Sequence, residues 1–171
     1  HRVRAAAGTP GADRVSFRVG IGVDAHAFAE GVPLVLGGVP FESPRGLAGH
    51  SDGDVITHAL IDAVLGAAGL GDIGSLFPSD GSTPEGISSL DLLRDTLTRV
   101  AGSGYEVVNA DCVLIGEQPR IASRRGRLEQ TLSDLVGAPV SVRATTTDKL
   151  GFTGRGEGLA AEAVALLRRR D

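Results

Sequence analysis

Histidines and aspartates are concentrated in one stretch of the chain. Three of the four histidines, His26, His50 and His58, fall within 33 residues. Asp24 and His26 are separated by one residue, so in an extended segment their side chains point in the same direction. A carboxylate and two imidazoles are a recurrent ligand set for catalytic zinc, with a fourth position left for water or substrate. The spacing predicts a metal site at Asp24 and His26, with either His50 or His58 as the third ligand.

A helical pattern follows these residues and carries three more polar side chains. Asp54, His58 and Asp62 are spaced at i, i+4 and i+8, so they share one helical face. Either aspartate can orient the imidazole of His58 through a hydrogen bond, or can be solvated instead. A lone histidine on a helix is more often structural than a ligand, and the clustering of histidines and aspartates is what favours metal binding here.

A second group of residues is typical of anion binding. Residues 145–149 are three threonines, an aspartate and a lysine, and Arg155 lies in the glycine-rich stretch that follows. Hydroxyl donors, positive charge and close backbone approach are what a phosphate site needs, although a β-turn with surface charges fits the same residues. Asp148 fits an anion site if a hard cation such as Mg²⁺ bridges its carboxylate and the phosphates. Farther upstream, Asp72 offers a carboxylate to ribose hydroxyls.

Two glycine-rich segments imitate nucleotide-binding motifs and are rejected. Residues 20–25 resemble a dinucleotide-binding fingerprint, but that motif must open a helix. Here it is followed by Gly31 and Pro33, which indicate a loop. Residues 154–158 lack the Lys-Ser/Thr ending of a phosphate-binding loop.

The composition predicts one globular domain. The chain has 171 residues, of which 42% are apolar and 22% charged, and its net charge of -4 disfavours nucleic acid as a partner. The single cysteine, Cys112, lies in an apolar run and is interpreted as a buried thiol and not a nucleophile. No apolar stretch approaches the ~20 residues that span a bilayer, so no membrane partner is expected. We expect residues 1–16 to be a flexible tail or linker and residues 17–171 to be a single domain.

Apolar periodicity and turn residues predict the element order ββααβαβα, which is an α/β domain of the two-layer α+β type. Aromatic residues are scarce, which favours a homo-oligomer that buries further surface. The predicted strands are residues 17–23, 33–39, 105–115 and 140–146; the predicted helices are residues 54–70, 88–100, 128–135 and 158–170.

Four long motifs resemble one family. Residues 22–28, 50–58, 71–78 and 144–158 are similar to the motifs of the 2-C-methyl-D-erythritol 2,4-cyclodiphosphate synthases, and the resemblance covers residues 18–170 in one register. It implies a cytoplasmic lyase of the non-mevalonate isoprenoid pathway. Such an enzyme converts 4-diphosphocytidyl-2-C-methyl-D-erythritol 2-phosphate to the 2,4-cyclodiphosphate and CMP.

The resemblance also assigns residues. It implies a zinc ion on Asp24, His26 and His58, and a second ion, Mg²⁺ or Mn²⁺, near Asp148. Asp148 is shorter than the glutamate usual in the family. The implied catalytic residues are His50 and Thr146. The implied substrate-binding residues are Ser51, Asp72, Gly74, Gly116, Pro119, Arg120, Ala122, Thr145, Asp148, Phe152 and Arg155.

The architecture implied by the resemblance is a mixed, four-stranded, ferredoxin-like sheet with helices on one face. The family forms homotrimers with active sites between subunits, and fusion to a cytidylyltransferase domain is a further implication. Two alternatives remain: a metal-dependent phosphohydrolase that uses water as the nucleophile, and a non-catalytic module that binds CMP-like or isoprenoid diphosphates.

Overall fold

The structure is a computed structural model that describes residues 17–170. The expected tail, residues 1–16, lies outside the described residues. The described strands are β1 (Phe17–Glu30), β2 (Leu34–Leu36), β3 (Val39–Phe41), β4 (Arg45–Leu47), β5 (Tyr105–Ile115), β6 (Val140–Thr145) and β7 (Gly158–Arg169). The described helices are α1 (Val55–Ala68), α2 (Ile73–Leu76), α3 (Ser89–Gly102), α4 (Arg125–Val136) and α5 (Gly151–Gly154).

The main sheet has the strand order β4-β1-β7-β5-β6. The central strand β7 runs antiparallel to both β1 and β5, whereas β5 and β6 are parallel. β2 and β3 form a separate hairpin. The predicted mixed α/β class is confirmed, but the prediction of four strands is wrong. The sheet has five strands, because the segment at residues 33–39 is not part of it, whereas β4 and the last segment of the chain join it. The ferredoxin-like arrangement stays a prediction.

The prediction of a helix over residues 158–170 is wrong. Its alanines and leucines have high helix propensity, but the segment pairs with β1 along one edge and with β5 along the other. These two ladders satisfy its backbone hydrogen bonds, so the tertiary context overrides the local preference. The alternation expected of a strand is present in the fully buried residues Leu159, Ala161, Ala163, Ala165 and Leu167.

β1 is longer than the predicted strand at residues 17–23. It pairs with β7 through Ala27 and then with β4 through Glu30. Asp24 and His26 therefore lie inside a strand and not just beyond its end. The segment predicted as one strand at residues 33–39 is instead two strands, β2 and β3, separated by a turn at two glycines with positive φ.

The helix boundaries follow the predicted capping residues. α1 begins after Asp54 and ends at Gly69, which has the left-handed conformation expected of a C-terminal cap. The Ser88 hydroxyl accepts a hydrogen bond from the backbone N–H of Leu90 at the start of α3. α4 ends at Gly137, again left-handed, and the strands predicted at residues 105–115 and 140–146 are present as β5 and β6. The predicted loop at residues 72–87 contains the single turn α2.

The main core lies between α1 and the sheet, and glycines bring the two unusually close. A Cβ atom added to Gly20 would lie 2.0 Å from the carbonyl oxygen of Ala63. A Cβ atom added to Gly22 would lie 2.0 Å from the carbonyl oxygen of Ala59. The glycines of the rejected dinucleotide motif thus allow the helix backbone to rest directly on the strand backbone.

The helices cover one face of the sheet. Cys112 is fully buried on that face, and burial raises the pKa of its thiol to about 12, which agrees with a core residue. None of the helices over residues 17–170 has the length and apolar composition that a membrane crossing requires. The opposite face, which we call the open face, exposes the large apolar residues Phe17, Val19, Ile21, Val23 and Val164.

We expect Gly22→Ala to destabilise the fold by about 1–3 kcal/mol, because the added methyl group overlaps the backbone of α1. Urea unfolding measures this change. Gly126→Ala is the matched control: Gly126 lies in α4, a methyl group there would point into open space, and alanine stabilises such a position by about 0.5–1 kcal/mol. Equal free energies of unfolding for the Gly22 variant and the original chain would contradict the close-packing argument.

Candidate functional site

A cluster of three side chains lies where β1 meets α1. Asp24 and His26 project from β1 toward the helix, and His58 projects back from the start of α1. The Asp24 Oδ2 atom lies 2.8 Å from His26 Nε2 and 3.2 Å from His58 Nδ1. The two ring nitrogens are 3.1 Å apart. These atoms form a small triangle that could hold a metal ion.

The triangle fits the ligand geometry of zinc. Zinc bonds of about 2.0–2.1 Å in a tetrahedral site separate neighbouring ligand atoms by about 3.3–3.4 Å. The observed separations of 2.8 to 3.2 Å are close to that value. His26 Nδ1 lies 2.5 Å from the carbonyl oxygen of Ala48, so Nδ1 carries the proton and Nε2 presents its lone pair to the cluster.

The two candidate third histidines differ in position. His58 joins Asp24 and His26, whereas the His50 ring turns to the backbone of another loop. His50 Nε2 lies 2.7 Å from the carbonyl oxygen of Thr83. His50 nevertheless lines the cavity beside the cluster, so it faces the same space without belonging to the triangle.

The electrostatics of the cluster favour a charged carboxylate. Burial raises the pKa of Asp24, but hydrogen bonds and positive charge from His26 and His58 outweigh this and hold the pKa well below its usual range. The hydrogen bond to Asp24 raises the pKa of His26. A cation is therefore favoured at this position, whether it is a proton shared by the imidazoles or a metal ion that displaces it.

The two helical aspartates hold backbone groups. Asp54 is fully buried and accepts hydrogen bonds from the N–H groups of Gly37, Gly38 and Thr57, at 2.8, 2.7 and 3.1 Å. Burial raises its pKa, and these hydrogen bonds oppose the rise. The Asp54 carboxylate therefore joins the β2–β3 turn to the start of α1. Asp62 accepts from the N–H of Ile73 at 2.7 Å and so places α2 beside the cluster.

Within residues 17–170, neither carboxylate is hydrogen-bonded to the imidazole of His58; the contact of Asp54 with His58 is a backbone one, in which the His58 N–H donates to the Asp54 carbonyl at 3.0 Å. They position helix ends, not the imidazole. His58 Nε2 instead lies 2.9 Å from the hydroxyls of Ser51 and of Ser89. Sequence reasoning missed Ser89, because a serine pair before a helix is adequately explained as a cap.

The cluster opens into a first cavity of about 590 Å³. Two predicted substrate-binding residues, Ser51 and Gly74, line it, and Asp72 lies two residues from Gly74 as the N-terminal cap of α2. Its wall combines polar and apolar side chains, which suits a ligand with both polar and carbon-rich parts. The full lining is Asp24, His26, His50, Ser51, His58, Ile73, Gly74, Phe77, Ser79, Thr83, Ile87 and Leu92.

A second cavity of about 630 Å³ lies at the end of the parallel pair β5 and β6. It shares no lining residue with the first. Among its residues are six of the predicted ones: Gly116, Pro119, Arg120, Ala122, Thr145 and Thr146. Arg125, which the sequence did not single out, adds a second guanidinium to this cavity.

Besides Asp72, three predicted residues lie outside both linings. Asp148 is exposed and has a positive φ of 51°, a strained conformation for a residue other than glycine. Its carboxylate accepts a hydrogen bond from the Thr146 hydroxyl at 3.3 Å. Phe152 is 42% exposed, and the exposed Arg155 is paired with Glu157 at 2.7 Å. A single chain therefore does not bring these residues to the cluster.

The fold and the cluster define a mixed α/β protein with a candidate metal centre beside a ligand-sized cavity. Comparison with known proteins supplies the family. The model of the YgbB family matches residues 17–168. The 2-C-methyl-D-erythritol 2,4-cyclodiphosphate synthase of Rubrobacter xylanophilus is 54% identical over 159 residues, which are 90% of this chain and 96% of the relative. The chain belongs to the YgbB family of 2-C-methyl-D-erythritol 2,4-cyclodiphosphate synthases, and the resemblance seen in its motifs is confirmed.

Solved structures agree with this assignment. The bifunctional IspDF of Campylobacter jejuni has a TM-score of 0.87 at 38% identity, over 91% of this chain and 43% of that longer one. The CDP complex of IspF from Plasmodium falciparum has a TM-score of 0.79 at 31% identity, over 91% of this chain and 98% of that one.

We expect His58→Ala to lose bound divalent metal, because it removes one corner of the triangle. Metal content of the purified variant, measured by elemental analysis, checks this. His50→Ala is the matched control and should retain metal, because His50 contacts the Thr83 carbonyl and not the cluster. Unchanged metal in the His58 variant, or equal loss in both variants, would disprove the ligand assignment.

Proposed function

We propose that this chain converts 4-diphosphocytidyl-2-C-methyl-D-erythritol 2-phosphate to 2-C-methyl-D-erythritol 2,4-cyclodiphosphate and CMP, in the non-mevalonate isoprenoid pathway. Family membership supports the reaction, since the relatives carry this enzyme name. The observation that carries the proposal for this chain is the convergence of Asp24, His26 and His58 beside a cavity. We further propose that residues 17–171 form the single synthase domain and that it acts in the cytoplasm.

The cofactors in this proposal are Zn²⁺ on Asp24, His26 and His58, and Mg²⁺ or Mn²⁺ near Asp148. The two divalent ions would polarise the phosphates and reduce the repulsion between the attacking and leaving anions. The donor set of one carboxylate and two imidazoles supports zinc for the first site. The lone carboxylate of Asp148, exposed and next to threonine hydroxyls, supports a hard cation that is also bound by phosphate oxygens.

The side chains would act mainly by orientation. The 2-phosphate is already anionic at neutral pH, so it attacks the β-phosphorus without a strong general base, and the P–O bond to CMP breaks. Once the substrate is bent, this reaction is intramolecular, and holding its ends in line lowers the barrier. The Nε2–H of His50 is donated to the Thr83 carbonyl, which fixes the ring in the first cavity. Nδ1 is then the nitrogen left to face the developing charge, and it would donate a hydrogen bond when the ring is doubly protonated. Thr146 is the second proposed hydrogen-bond donor to the transition state.

The remaining proposed residues bind the ends of the substrate. Ser51 lies in the first cavity beside His50 and can hold the methylerythritol phosphate. Asp72 and Gly74 are the proposed ribose contacts. The proposed cytosine and phosphate contacts are Gly116, Pro119, Arg120 and Ala122. Thr145 and Asp148 are the proposed contacts to the diphosphate and the second metal, and Phe152 and Arg155 are further proposed ligand contacts.

We also propose a homotrimer with its active sites between subunits. The open face supports this, because Val19, Ile21 and Val23 are each more than 60% exposed on one strand. A stripe of large apolar side chains on a sheet face is normally buried by another layer. We propose that other copies of the same chain cover the open face.

The separation of the two cavities is a second argument for active sites between subunits. Thr145 is aligned across the sheet with Ile115, Ala160 and Ala25, and Ala25 alternates with Asp24 and His26. Thr145 and the metal cluster thus belong to opposite sheet faces and are three strand spacings, about 14 Å, apart. One substrate can contact both sets at short range if the second cavity comes from a neighbouring subunit.

Fusion to a second enzyme is found in one relative. The Campylobacter jejuni protein is bifunctional, and this chain covers 43% of it. We propose that residues 1–16 serve as a tail or a linker, with a cytidylyltransferase domain as the partner if the chain is fused.

The experiment that tests the function is product analysis by phosphorus NMR, with purified protein and the CDP-linked substrate. We expect equal amounts of CMP and an eight-membered cyclic diphosphate, with turnover abolished by a chelator and restored by Zn²⁺ and Mg²⁺. An open-chain bisphosphate would instead identify a phosphohydrolase. Binding without CMP release would identify a non-catalytic module.

We expect Ile21→Asp to convert the trimer to single chains, because it places a charge on each copy of the apolar interface. Light scattering after gel filtration measures the mass. CMP release should fall with the mass, while bound metal is retained, because Ile21 lies on the face opposite the cluster. Thr98→Asp, on the exposed surface of α3, is the control and should remain trimeric. A trimeric Ile21 variant, or an original chain that is monomeric, would contradict the proposal.

A further inference from the structure

Both ring nitrogens of His58, Nδ1 and Nε2, have hydrogen-bonding partners at short distance. Nδ1 faces Asp24 and His26, and Nε2 points away from the cluster toward two serine hydroxyls. The Oγ atoms of Ser51 and Ser89 both lie 2.9 Å from Nε2. For Nδ1 to bind a metal, its lone pair must be available, so the proton of the neutral ring must be on Nε2.

The hydroxyl of Ser89 is itself fixed by Asp52. Ser89 Oγ donates a short hydrogen bond to Asp52 Oδ1, and the Ser89 N–H donates to Asp52 Oδ2 at 3.0 Å. A hydroxyl whose single proton is given to a carboxylate has only lone pairs to offer elsewhere. Ser89 Oγ is therefore left as an acceptor for the N–H of His58.

Asp52 is in turn held by the start of α1. The backbone N–H of Asp54 donates to Asp52 Oδ1 at 3.2 Å. The carboxylate thus joins the loop before α1 to the first residue of α3, and it carries the orientation of both elements to the imidazole. His58, Ser89 and Asp52 form a continuous hydrogen-bonded chain that leads away from the cluster.

The two serines are not equivalent. Ser89 is fully buried and does not line the first cavity, whereas Ser51 is only half-buried and does line it. Ser51 Oγ accepts a weak hydrogen bond from the Gly53 N–H at 3.3 Å, and no carboxylate contacts it among the described residues. The Ser89 Oγ lies 3.4 Å from Ser51 Oγ, which is a long contact, so the Ser51 proton can turn toward a ligand instead. Ser51 therefore suits substrate contact, and Ser89 suits a fixed structural role.

We propose that Ser89, backed by Asp52, is a positioning residue that fixes the tautomer and ring orientation of His58 for metal binding. This inference rests on the proposed metal centre and adds to it residues that do not touch substrate. Partners that orient a metal-bound imidazole typically change metal affinity by about 10–100-fold when removed.

The test compares zinc affinity in Ser89→Ala and Ser51→Ala by competition with a chromophoric chelator at pH 8, where a free imidazole is neutral. We expect Ser89→Ala to bind zinc about 10–100-fold more weakly than the original chain. Ser51→Ala should stay within about threefold, because Ser89 still accepts the N–H of His58, and its defect should appear in KM. The thermal midpoint of the metal-free proteins controls for a general loss of structure.

Asp52→Asn provides a second variant in case the buried alanine impairs folding. Its amide leaves Ser89 with a weaker acceptor, so zinc affinity should again fall while the metal-free protein remains folded. Cobalt substitution adds a spectroscopic readout, because a misdirected His58 changes the visible absorption of a four-coordinate cobalt site. If the variants that fold bind zinc within twofold of the original chain, the positioning role of Ser89 is wrong and the proposed metal centre still stands. An original chain that binds no zinc would overturn the proposed metal centre.

Discussion

The candidate site depends on one close approach, that of the backbone of β1 to the backbone of α1. Gly20 and Gly22 leave no side chain between them, and the carbonyls of Ala59 and Ala63 occupy the space where methyl groups would lie. Asp24 and His26 continue the same face of the strand. Because the helix is already in contact at the glycines, its next residue toward the N-terminus, His58, reaches the two strand residues within 3.2 Å. Larger residues at the glycine positions would move the imidazole away and open the triangle.

Three carboxylates then tie neighbouring elements to α1; Asp54 is buried, and Asp52 and Asp62 are half-buried. Asp54 binds the β2–β3 turn, Asp52 binds the start of α3, and Asp62 binds the start of α2. Each accepts backbone N–H groups, so charge is placed in the interior only where hydrogen bonds compensate its desolvation. The elements around the first cavity are therefore tied to α1, and the cavity wall and the metal ligands share one rigid support.

The two faces of the sheet have different roles. The covered face supplies the core and the cluster, and the open face supplies the proposed subunit contact. Residues that the family motifs associate with one substrate are separated within this chain: the cluster belongs to β1 and α1, whereas Thr145 and Arg120 belong to the second cavity. The proposed interfacial active site would account for this separation, because one chain would supply the metal cluster and a neighbouring chain the second cavity. It would also account for the exposure of Asp148, Phe152 and Arg155 in a single chain.

The sequence by itself determined the features that depend on local spacing. The i, i+2 pair of Asp24 and His26, the capped helix α1, and the long motifs that identify the family were all readable in the linear chain. Tertiary structure decided what spacing leaves open. Spacing alone did not distinguish His58 from His50, although the family motifs implied His58. The structure places His58 against Asp24 and His26, and Ser89 against the imidazole, through contacts between residues 30 or more positions apart. It also made residues 158–169 a central strand, because hydrogen bonds from two neighbouring strands outweigh the helix preference of a few alanines and leucines.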